Sequence, residues 1–125
     1  MELEKGKGKS RMKVSLQGYH SRYATFEAQG ELAPGDLVQL CGSMTVQKAT
    51  SGKFAGVARS VRDGFALIQT GGYAQVGYSG NKPAFGFVSL EAQPGGGSQT
   101  KVSDAGRQVL VVEVDESQAK AGILF

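Results

Sequence analysis

"RDGFALIQTGGYAQVGYSG", residues 62–80, is the most regular stretch of the chain. Asp63-Gly64 is a hairpin turn signal, because both residues tolerate the positive φ that a tight two-residue turn requires. "FALIQT" follows as a strand, and Gly71-Gly72 interrupts it. "YAQVGY" then alternates, placing Tyr73, Gln75 and Gly77 on one face and Ala74, Val76 and Tyr78 on the other. "AGVARSV" precedes the Asp-Gly turn and pairs with "FALIQT". Strands of about four to seven residues at spacings of about 8–12 residues define a sandwich or a barrel, so the fold class is all-β.

The flanking sequence extends this pattern. "YATFEA" begins to alternate, which predicts a strand over residues 22–28. Pro34-Gly35-Asp36 marks a turn. "DLVQLC" and "MTVQKA", on either side of Gly42-Ser43, form a second hairpin, which puts Cys41 inside a strand as a small buried hydrophobe. Another strand is expected over Phe85 to Ala92, and then a glycine-rich projecting loop over residues 93–107. The apolar run Val109 to Val114 predicts a central strand covered on both faces. "ESQAKAG" is too short for a stable helix and is expected to turn between two final strands. The closing "GILF" is expected to be buried in this sheet or against another subunit. The expectation is a small single-domain β-barrel or sandwich of eight or nine short antiparallel strands over residues 24–125. An extended basic arm, residues 1–23, precedes it.

Composition fits this picture. A chain of 125 residues, 40% hydrophobic and 20% charged, is long enough for one core and too short for two ordinary domains. Its 19 glycines mostly punctuate apolar runs, as many tight turns require. One cysteine excludes an internal disulfide, and with one histidine it leaves no ligand set for zinc. No apolar run approaches the ~18 residues of a membrane span, and the charged start is not followed by a secretory apolar segment. The expectation is a soluble protein made in the cytoplasm, without a membrane partner. Charge is uneven: Lys5, Lys7, Lys9, Arg11 and Lys13 stand against Glu2 and Glu4, whereas nine basic and nine acidic residues cancel from Val14 onward.

The constellations that chemistry needs are weak. "GKGKS" at 6–10 lacks the upstream glycine and preceding strand of a phosphate loop. Glu113 and Asp115 share a strand face but have no matching ligands elsewhere and are expected at a solvated strand end. Cys41 has only His20 to offer as a base. Lys53, Arg59 and Arg62 beside Tyr73 and Tyr78 sketch a groove for single-stranded nucleic acid, against which the neutral body counts. No catalytic residues, cofactor or metal are expected, and the chain reads as a binding or structural module.

The order of "ATFEAQGELAPGDLVQL", "KFAGVARSVRDGFALIQTGGYAQVGYSG", "PAFGFVSLEAQPGGG" and "GRQVLVVEVDESQAKAGILF" resembles the capsid cement, or decoration, proteins of tailed bacteriophages over roughly residues 24–125. The resemblance implies a non-enzymatic virion protein that binds the outside of an expanded capsid and reinforces it against DNA pressure. Its partners would be the major capsid protein and further copies of itself, as a homotrimer. An extended arm can bind such a shell by adding a strand to an exposed edge. The expected contacts are Tyr19, His20, Arg22 and Tyr23, since aromatic and arginine anchors dominate interfaces. The arm's Lys5, Lys7, Lys9, Arg11 and Lys13 would add electrostatic contact. The alternative is a small barrel that binds single-stranded nucleic acid.

Overall fold

The structure, a computed structural model, describes residues 20–94 and 98–125. Among the described residues there are ten strands: β1 (Arg22–Ala28), β2 (Leu37–Gly42), β3 (Thr45–Lys48), β4 (Gly56–Arg62), β5 (Phe65–Gly71), β6 (Tyr73–Tyr78), β7 (Gly86–Ala92), β8 (Gln99–Val102), β9 (Arg107–Asp115) and β10 (Lys120–Leu124). They close into two five-stranded barrels, with ring orders β1-β3-β2-β4-β5 and β6-β8-β7-β9-β10. The all-β class read from the sequence holds.

The second barrel repeats the first, five strands on. The parallel pair β1/β3 has its counterpart in β6/β8. The antiparallel pairs β1/β5, β2/β3, β2/β4 and β4/β5 have theirs in β6/β10, β7/β8, β7/β9 and β9/β10. The parallel pairs depart from the expected all-antiparallel pairing, and the reason is arithmetic. Strand direction cannot alternate all the way round a ring with an odd number of members, so one neighbour pair must run parallel.

A five-stranded ring encloses little space, and its interior is filled by small and branched side chains. Val38, Val46, Ala58, Ala66 and Ile68 fill the first barrel. Ala74, Val76, Leu90, Ala92, Val109, Val111, Ala121 and Ile123 fill the second. The hairpin turns use the chemistry read from the sequence. Asp63 and Gly64 adopt φ values of 55° and 82°. At the Pro-Gly-Asp turn, the Ala33 amide donates to the Asp36 carboxylate at 2.9 Å, and the Asp36 amide returns to the Ala33 carbonyl at 3.1 Å.

The two barrels are joined by a shared core. Leu37, Ala49, Phe54 and Val57, all from the first half of the chain, are buried in one cluster with the interior residues of the second barrel. Each such large side chain contributes roughly 1.5–3 kcal/mol. Gly72 and Phe125 extend the β6/β10 ladder by one pair, at 3.0 and 3.1 Å. Main-chain and side-chain hydrogen bonds also reinforce the joint. The Gly52 amide donates to Glu91 at 3.0 Å, and the Ala92 amide donates to the Gly52 carbonyl at 3.0 Å.

Several expectations need correction. The stretch 93–107 is not simply a projecting loop: it contains β8, whose Thr100 is fully buried and donates its hydroxyl to the Gly77 carbonyl at 2.7 Å. A polar strand that closes a small ring has no long apolar run to announce it, which is why ten strands appear instead of eight or nine. Cys41 lies in β2 but is exposed, because β2 outruns its short pairing with β4. β9 is not covered on both faces: Val109 and Val111 face the interior, whereas Leu110 and Val112 on the other face are only partly buried. Of the closing residues, Gly122 and Ile123 are buried as expected, in β10 of this same chain, whereas Leu124 and Phe125 are only partly buried. Glu116 to Ala119 form the turn that precedes β10.

Candidate binding site at the joint between the barrels

Gln69 is the pivot of the joint. It points outward from β5, where water would normally receive it, yet it is only 2% exposed. Both of its polar atoms are engaged: Arg59 Nε donates to its Oε1 at 2.7 Å, and its Nε2 donates to the carbonyls of Gly71 at 3.1 Å and Tyr73 at 2.9 Å. A buried amide without such partners would destabilise the fold by about 1–3 kcal/mol.

Three arginines lie at the joint. Arg59 reaches the Gln69 amide directly from β4. Arg22, at the start of β1, is paired with Gly71 and lies so close that a Cβ there would sit 2.6 Å from its Nη2. A side chain at Gly71 would push this guanidinium end aside. Arg107, at the start of β9, donates to the Ala55 and Phe54 carbonyls at 3.1 and 3.4 Å and sits over the rings of Phe54 and Phe125. Burial lowers the Arg107 pKa from its ordinary value, and the positive charge of Arg22 adds to the effect. Among the described residues the ion pairs use Lys48, Lys82 and Lys101, and no arginine is paired with a carboxylate. The site thus offers forked donors to an acidic or phosphate group from outside.

The expected contact residues divide. Arg22 and Tyr23 lie in β1, with Tyr23 52% exposed on its outer face beside Gln69. His20 lies two residues before the strand, with φ of 46°. Tyr19, Lys5, Lys7, Lys9, Arg11 and Lys13 lie outside the described residues. Of the sketched nucleic-acid groove, Arg59 reaches the joint with its side chain and Tyr73 with its carbonyl. Arg62 pairs with Phe65 at the tip of the β4-β5 hairpin, and Tyr78 packs against the second core. Gln69 and Arg107 were not singled out from sequence. A lone amide in "ALIQTGG" is the signal that an outward strand position is covered, and it is readable only once the joint is known.

Other polar groups are committed elsewhere. Tyr73 donates its hydroxyl to Glu113. Asp115 accepts from the Ser117 amide and hydroxyl and the Gln118 amide, which shapes the β9-β10 turn. A depression of about 360 Å³ borders Gln75, Glu113, Asp115 and Lys120. Among the described residues no group of three or more His, Cys, Asp or Glu is placed to hold a metal ion. No helix there is long and apolar enough to cross a membrane.

The fold and site together define a tandem of two like-built small barrels with an arginine-lined joint. Compared with models of known protein families and with curated proteins, the sequence matches none.

Proposed function

We propose that the protein is a structural binder that decorates the outer surface of an expanded phage capsid and stabilises it against internal DNA pressure. The carrying observation is the set of three arginines, Arg22, Arg59 and Arg107, held at the joint without a carboxylate among the described residues. β1 begins at this joint, with Arg22 paired to Gly71, and Arg22 and Tyr23 there supply contacts to the major capsid protein alongside those of the basic arm. An arginine fork takes a partner's carboxylate in a bidentate bond, and exposed Tyr23 supplies an aromatic anchor beside it.

The same arginines and Tyr23 favour one second reading, a contact with single-stranded nucleic acid. Salt separates the two. Phosphate binding weakens with a logarithmic slope of ~0.7 per neutralised phosphate on single strands. A closed protein interface is screened far less. The test is co-sedimentation of the purified protein with undecorated, expanded phage heads at low and high salt. Saturable, salt-tolerant binding is expected. Failure to pellet, together with salt-sensitive binding of single-stranded DNA, would replace the capsid reading by the second one.

A further inference from the structure

The repeat makes a comparison available inside one chain. In the first barrel, cross-strand partners form a row over four strands: Leu37 with Val57, Val57 with Gln69, Gln69 with Tyr23. In the second barrel the equivalent row is Phe87 with Leu110, Leu110 with Leu124, Leu124 with Tyr73. The first row is the face that docks on the second barrel, and Leu37, Val57 and Gln69 are only 1–2% exposed. The second row has the more apolar side chains, yet Phe87 is 73% exposed and neighbouring Phe85 71%. Two exposed phenylalanines beside partly buried leucines make the kind of patch that marks an interaction surface.

The covering partner can be read from the internal joint. The row in the first barrel is covered by a barrel of this same fold, and the second row runs directly into that joint. Leu124 precedes Phe125, whose ring meets Phe54 at 6.1 Å, and the Tyr73 carbonyl receives Gln69. The receiving half is repeated too. Leu90, fully buried in the shared cluster at the joint, has Leu40 fifty residues earlier in the first repeat, and Leu40 is 59% exposed. Both halves of the joint therefore have an uncovered counterpart on the same chain.

We infer that a second copy of this chain docks head to tail, its Leu40 surface receiving the Phe87-Leu110-Leu124 row of the first. Such an interface is heterologous and closes as a ring when the rotation between copies permits. This inference goes beyond capsid binding, since it concerns the free protein.

The test is light-scattering mass on gel filtration for the full chain and for Phe87→Asp and Leu40→Asp, with circular dichroism to verify folding. The full chain is expected as an oligomer and each variant alone as a monomer. An equimolar mixture of the two variants is expected to form a dimer and nothing larger, because each retains the surface the other lacks. A monomeric full chain, or variants that still assemble alone, would overturn the proposal. So would assembly lost in Phe87→Asp but intact in Leu40→Asp, which is the mark of row-on-row pairing.

Discussion

The guanidinium carbon of Arg107 lies 5.0 Å from the ring centre of Phe125 and 5.7 Å from that of Phe54, so one cation bridges the two barrels. Its Nη1 also satisfies the carbonyls of Phe54 and Ala55. Arg107→Ala removes the stacking and leaves two carbonyls short of a donor in a half-buried place. A loss of about 2–3 kcal/mol is expected, read as a lower urea midpoint. An unchanged midpoint would mean that the barrels are held by apolar packing alone.

Gly56 tests the closeness of the same joint. A Cβ at this position would collide with the Gln69 carbonyl and with Ile68, both on the neighbouring strand. Backbone cannot step aside as a flexible side-chain end can. Gly56→Ala should destabilise by roughly 1–3 kcal/mol, and calorimetry should show a melting temperature lower by about 4 °C per kcal/mol for a chain of this size. A rise in melting temperature would contradict the packing described.

The Tyr73 hydroxyl donates to Glu113 across the outer face of β10. Burial raises the Tyr73 pKa above its ordinary 10.0, and the hydrogen bond to Glu113 raises it further. A raised folded-state pKa means that the native state keeps the proton longer than the unfolded chain does. The stabilisation is fully present below about pH 10 and is lost as pH rises through the folded value. In urea titrations between neutral and strongly alkaline pH, Tyr73→Phe should therefore lose less stability above pH 10 than the parent chain. Parallel curves would remove Tyr73 as the cause.

The strand pattern was legible because turn chemistry and period-two alternation are local. The turn at Asp63-Gly64 and the alternation of Ala74, Val76 and Tyr78 against Tyr73 and Gln75 depend on neighbours a few residues away. Ring closure is not local, so β8 and the parallel pairs did not show. The repeat does leave traces: Tyr23-Ala24, Gly30, Val38 and Leu40 return as Tyr73-Ala74, Gly80, Val88 and Leu90, each fifty residues on. Gly30 and Gly80 even share positive φ, 77° and 75°. Five identities spread over 18 positions are too sparse to stand out among Gly-bounded strands. The site was half legible for a similar reason. Arg22 and Tyr23 attract attention as anchors beside a basic arm, whereas Arg107 and Gln69 gain their roles only from the packing of one barrel on the other.

Removing residues 2–18 separates fold from attachment. Every described ladder of both barrels runs between Arg22 and Leu124, so the deletion spares all strand pairing. The truncated protein should keep its circular dichroism and melting temperature, because among the described residues the core clusters draw on none before Phe26. Binding to expanded heads should be abolished, since the basic excess and the proposed strand-adding segment go together. The companion variant Arg59→Gln keeps the arm and removes one guanidinium from the joint. A single charge-assisted hydrogen bond at an interface is worth about 1.5–3 kcal/mol, so its head affinity should fall about 10- to 100-fold without being lost. If the truncated protein pellets with heads as well as the full chain does, the arm has no part in attachment. The joint arginines alone would then have to carry it, and Arg59→Gln would become the more damaging change.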